Sequence, residues 1–221
     1  MDHKKSPLGS WGFWLLWTIT IACGWLFIIY PGLYFRDLKF SSWSEIPTLA
    51  GKFFLMAFLV SLVVGIFQYG VLKFLTKLPF MWILISAVSY SVGSVLALLL
   101  SFLIIGLRIS NALSGSGDTI VAMPLDITML LGGGLSGLIQ VIYIKRYLET
   151  NQKRKILLWI FGAAVAWGLG FFATAFGWGQ NWSINVQSGL GGVVIGAITG
   201  LTYLVILKKE SFVKTQVAQS S

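Results

Sequence analysis

Few side chains in this sequence could do chemistry. Of 221 residues, seven are acidic, one is histidine and one is cysteine. Gly134-Leu135-Ser136-Gly137 sets a serine among glycines, the setting of an accessible nucleophile. A serine hydroxyl attacks only when a base within hydrogen-bond reach takes its proton, and the single histidine, His3, stands at the amino-terminal end. Cys23 has no partner for a disulfide or a thiolate cluster. No cysteine or histidine pair has metal-ligand spacing, and Gly189-Leu190-Gly191-Gly192 follows no strand that would make it a dinucleotide turn. No metal, no cofactor and no catalytic residue are expected. Asp126, in Met123-Pro124-Leu125-Asp126, is the one acidic residue within an apolar run. Two readings of it stay open: a carboxylate in the first turn of a helix started by Pro124, or an ion or proton site.

The elements that must position these residues follow from composition. Hydrophobic residues make up 57% and charged residues 10%, against about 45–50% and about 25% in soluble domains, and the mean hydropathy is +0.84. Such a chain is all-α and membrane-embedded, without room for a soluble catalytic domain. Apolar runs bounded by charge, Pro or Gly/Ser clusters predict six transmembrane helices near 12–33, 53–75, 80–106, 122–144, 156–177 and 186–207. The run around Cys23 continues to Tyr30, which reads as an uncleaved first helix rather than a signal peptide. The net charge of +9 is a topology signal rather than a nucleic-acid-binding face. Lys4, Lys5, Lys73, Lys77, Lys145, Arg146, Lys153, Arg154, Lys155, Lys208, Lys209 and Lys214 fall on one side of the membrane, and only Arg36, Lys39, Lys52 and Arg108 on the other. The positive-inside rule then puts both termini in the cytoplasm, with exterior connections at about 34–52, 107–121 and 178–185. Trp11, Trp14, Trp82 and Trp159 fall near cytoplasmic ends, Trp43, Trp178 and Trp182 near exterior ones, the placement of an interfacial aromatic belt.

Self-similarity is the strongest pattern. The second, fourth and sixth helices end Gly65-x-x-Gln68-x-x-x-Leu72-Lys73, Gly137-x-x-Gln140-x-x-x-Ile144-Lys145 and Gly200-x-x-Tyr203-x-x-x-Leu207-Lys208. Four residues before each glycine stands another small residue, Ser61, Gly133 or Gly196. This spacing puts small, small, polar and aliphatic positions on one helix face, a helix-packing seam of glycine-zipper type. Trp82 and Trp159 precede Gly93 and Gly170 by eleven residues, with Tyr90 and Trp167 three before the glycine, and Phe13, Ile21 and Gly24 fill those places in the first helix. The chain is therefore read as one membrane domain of three pseudo-repeated helical hairpins, about 12–75, 80–144 and 156–207. Gln68, Gln140 and Tyr203 fall at equivalent heights, either as interhelical hydrogen bonds or as a polar ring around a pore.

Gly134-Leu135-Ser136-Gly137 resembles the nucleophile motif of rhomboid proteases and stands in the fourth of six helices, but no membrane histidine accompanies it. Mitochondrial carriers also have three two-helix repeats, yet helices 3 and 5 here lack their terminal proline motif. The Trp-rich odd helices and Gly-x-x-Gln even helices resemble uncharacterised bacterial membrane proteins, cyanobacterial ones among them, a resemblance that brings no activity with it. The expected function is a non-enzymatic membrane scaffold, an accessory or assembly subunit of a larger complex or a homo-oligomer, in a plasma or thylakoid-type inner membrane. The alternative is a small-solute or ion transporter or channel. Alkaline phosphatase fused at Ser183 is expected to be active, and a cytoplasmic reporter fused there silent; the opposite pair of readouts would invert the topology.

Overall fold

The computed structural model describes residues 10–27, 43–73, 79–113, 123–144, 153–180 and 182–219, with side chains over 11–27, 44–73, 79–104, 127–143, 154–177, 180 and 182–206. Six α-helices occupy them: α1 (Ser10–Leu26), α2 (Ile46–Leu72, entered through a 3-10 turn at Trp43–Glu45), α3 (Met81–Leu113), α4 (Met123–Ile144), α5 (Lys153–Gly179) and α6 (Ile184–Gln219). Helix is the only local solution here, because a segment in lipid must satisfy its own backbone hydrogen bonds. Pro47 stands in the first turn of α2, where its missing N–H costs no intrahelical bond. Among the described residues four helices are long and apolar enough to cross a membrane: Ile46–Leu72, Met81–Ile104, Arg154–Gly177 and Ile184–Ile206. Trp11–Leu26 and Ile127–Tyr143 are shorter apolar helices.

The helices are longer than charge and turn residues imply. α2 begins at Ile46 and α3 runs to Leu113, so 46–52 and 107–113 are helical rather than connecting chain. α6 continues past Lys208 and Lys209 to Gln219. A charge marks where a helix leaves hydrocarbon, not where its backbone hydrogen bonds stop. Residues 28–42, 114–122 and 145–152, which hold most of the expected loops, lie outside the described residues.

α1 packs on α2, α2 on α3, and so on to α6, which packs back on α1 and closes a ring in chain order. The α1–α2 contact is the least extensive. Polarity is arranged as a bilayer demands. Trp11, Leu157, Phe161, Phe172 and Ile142 face outward, while Ser86, Ser89, Ser91, Thr128, Gln68 and Gln140 are buried. In water this distribution would be reversed; in lipid, apolar side chains gain nothing by leaving the surface, and polar groups must find partners inside.

Glycines line every seam of the ring. On the even helices, a methyl group at Gly65 would lie 3.0 Å from the Ile83 carbonyl oxygen of α3, one at Gly137 would lie 3.1 Å from Ile160 Cα of α5, and one at Gly200 would lie 3.1 Å from Trp14 Cδ1 of α1. On the odd helices, Gly24 abuts Val64 of α2, Gly93 abuts the Gly132 carbonyl of α4, and Gly170 abuts Ile195 and the Gly191 carbonyl of α6. At Gly133 the added methyl would sit 2.6 Å from Trp167 Cβ and 2.7 Å from the Ala163 carbonyl oxygen, and at Gly196 it would sit 2.8 Å from Thr18 Cα. Gly51 and Gly70 of α2 meet nothing within 4 Å.

The two kinds of glycine predict opposite outcomes. Gly133→Ala is expected to destabilise by about 1–3 kcal/mol, the usual cost of overpacking, because a carbonyl on a neighbouring helix cannot swing away. Gly70→Ala is expected to stabilise by up to about 1 kcal/mol through helix propensity. Thermal unfolding of both variants in detergent measures the difference.

Candidate functional site

Hydroxyls tolerated in a membrane core usually bond to their own helix. Thr18, Thr20, Ser91, Ser101, Thr174, Thr199 and Thr202 each donate to the carbonyl four residues back, at 2.6–3.0 Å. Amide and indole groups are too long to do this and reach across seams instead. Gln140 of α4 joins three helices: its Oε1 accepts from Trp159 Nε1 of α5 at 3.1 Å, and its Nε2 donates to Ser89 Oγ of α3 at 3.1 Å. Gln68 of α2 donates through Nε2 to the Tyr90 hydroxyl of α3 at 3.1 Å. Trp17 of α1 donates to Thr199 Oγ1 of α6 at 3.0 Å, and Ser101 pairs with Thr128 across α3–α4 at 2.9 Å.

Tyr203, the third member of the equivalent set, is held by rings. Its centroid lies 4.9 Å from Trp159, edge to face, 5.2 Å from Trp17 and 6.0 Å from Phe13. Further along the axis Tyr90 stacks on Trp167 at 5.7 Å and 10°, and Trp25 meets Trp167 edge-on at 6.4 Å. The aromatic side chains of α1, α3 and α5 thus meet across the ring. A niche of about 30 Å³ remains, bounded by Ile21, Trp25, Ser61, Tyr90, Trp167 and Ile195. That is room for at least one water.

The structure bonds Gln68 to Tyr90 and Gln140 to Ser89 and Trp159, and sets Tyr203 beside Trp159. Ser61 borders the niche; Gly65, Gly133, Gly137, Gly196 and Gly200 lie in the seams. Ser136 is 1% exposed in α4, its Oγ without a partner, beside Gly93. Among the described residues no base is hydrogen-bonded to its hydroxyl. Asp126 falls near the start of α4, its side chain outside the described residues. No group of His, Cys, Asp and Glu among the described residues could hold a metal.

Trp82 and Trp159 correct the belt reading. Each was expected at the membrane interface, yet they are 1% and 4% exposed. The hydropathy of a helix end does not say which way an indole points. The equal spacing of these tryptophans from Gly93 and Gly170 puts them on the same helix face as Tyr90 and Trp167. Ser89 could not be singled out, because its role depends on a helix that follows it in the chain.

Comparison of the whole chain with family models, characterised proteins and solved structures gave no match. The Gln140–Trp159 bond predicts a measurable coupling. In a double-mutant cycle of Gln140→Leu and Trp159→Phe, the interaction is expected at about 0.6–1.7 kcal/mol, the range for interhelical bonds in membranes. Strict additivity would mean that the bond contributes nothing.

Proposed function

We propose that this protein is a non-enzymatic membrane scaffold, an accessory or assembly subunit of a larger membrane complex. The observation that carries this reading is the aromatic cluster inside the ring, where Trp17, Trp159 and Tyr203 interlock. Its outer surface offers partners large apolar side chains: Trp11 is 72% exposed and Phe161 68%. A transporter or channel lined by Gln68, Gln140 and Tyr203 has less in its favour, since their side chains are 1%, 2% and 5% exposed and are engaged with one another's neighbours.

We read the ring further as six transmembrane crossings in three repeated hairpins, with both termini cytoplasmic. Three seams support the repeat. Gln140 with Trp159, Gln68 with Trp82 and Tyr203 with Phe13 occupy matching positions, each pairing an even helix with the odd helix that follows it around the ring. Gly137, Gly65 and Gly200 face Ile160, Ile83 and Trp14, the residues after those three aromatics. The glycines of the even helices join hairpins to each other, and Gly24, Gly93 and Gly170 join the helices within them.

Gentle detergent extraction of a tagged copy from its native membrane, followed by native mass spectrometry, tests the function. A stoichiometric partner protein is expected. A protein that travels alone and, reconstituted in liposomes, carries a solute flux abolished by Gln68→Leu with Gln140→Leu would overturn the scaffold reading.

A further inference from the structure

Among the described residues, four buried side-chain atoms have no hydrogen-bond partner: Gln68 Oε1, Trp82 Nε1, Ser86 Oγ and Ser136 Oγ. Three of them belong to the α2–α3 seam. Trp82, Ser86 and Tyr90 follow at four-residue intervals and form one stripe of α3. Gln68 is tied to that stripe through its bond to the Tyr90 hydroxyl. Long helical side chains lean toward the helix N-terminus, so the Tyr90 hydroxyl, and the amide bonded to it, lie over the turn that carries Ser86. Gln68, Trp82 and Ser86 are 1%, 1% and 0% exposed. A buried polar group without a partner loses its hydration with nothing to offset it, and three in one seam call for a common partner.

The α4–α5 seam shows what differs. There Trp159 Nε1 donates directly to Gln140 Oε1, and the residue four past the tryptophan is Ala163. A direct bond leaves nothing unpaired in that seam. In α2–α3 the same position is Ser86, whose hydroxyl a direct Trp82–Gln68 bond would leave stranded. This comparison rests on reading the two seams as repeats; the three unpaired atoms do not.

We propose that the α2–α3 seam binds one water molecule among Gln68, Trp82 and Ser86. The water accepts from Trp82 Nε1–H and donates to Gln68 Oε1 and to Ser86 Oγ. Its three bonds match the number a buried water usually makes. The donor set selects the ligand: an anion has no proton for the amide oxygen, a metal cation or ammonium has no lone pair for the indole N–H, and water supplies both. The amide orientation agrees, since turning it would set an NH₂ group against the indole donor.

The test is water-edited solid-state NMR on the full chain in liposomes, with ¹⁵N-labelled indoles and with Trp82→Phe and Trp159→Phe to assign the two signals. Transfer from water to the Trp82 indole is expected, with none to that of Trp159. Ser86→Ala, which removes one oxygen atom, is expected to reduce the Trp82 transfer several-fold, and Gln68→Leu to abolish it. A Trp82 signal without water transfer overturns the proposal, whether its shift matches that of Trp159, meaning a direct bond, or that of a free indole, meaning a dry seam. Transfer unaffected by Ser86→Ala overturns it as well.

Discussion

Close approach of helix backbones is the constraint on which this structure depends. Lipid chains are as apolar as leucine, so burying a leucine between two membrane helices gains little, and association has to come from packing and from polar contacts. Glycine supplies the first by removing the side chain that would hold two helices apart. Here it does so at every seam of the ring, through Gly65, Gly137 and Gly200 on one set of interfaces and Gly24, Gly93 and Gly170 on the other. Once the backbones are that close, each helix has only one rotation that fits, and the faces turned toward the axis are settled.

The aromatic axis follows from this rotation. With small residues in the seams, the bulk of α1, α3 and α5 can turn inward, and Trp17, Tyr90, Trp159 and Trp167 meet where a wider ring would leave a channel. Burying indoles and a phenol in such a place requires partners for their N–H and O–H groups. Gln68, Gln140 and Thr199 provide them for Tyr90, Trp159 and Trp17. The glutamines and tryptophans are thus two halves of one arrangement, which explains why both recur at fixed distances from the glycines. Three residues past Gly200, Tyr203 of α6 meets Phe13 of α1 ring to ring at 6.0 Å.

The sequence by itself determined the solvent, the secondary structure and the count of helices. Composition decides these, since a chain that is 57% hydrophobic and 10% charged satisfies its backbone in lipid only as helices. The spacing of Ser61, Gly65 and Gln68, and of Gly133, Gly137 and Gln140, also marked one face of each even helix, because residues three and four apart share a face. Only the tertiary structure decided what each face meets. It turned Trp82 and Trp159 into the core, bonded Gln68 to Tyr90 and Gln140 to Ser89 and Trp159, and paired α6 with α1 to close the ring. The physical reason is that periodicity records the direction of a side chain relative to its own helix axis, whereas its partner depends on how neighbouring helices rotate and how closely they approach.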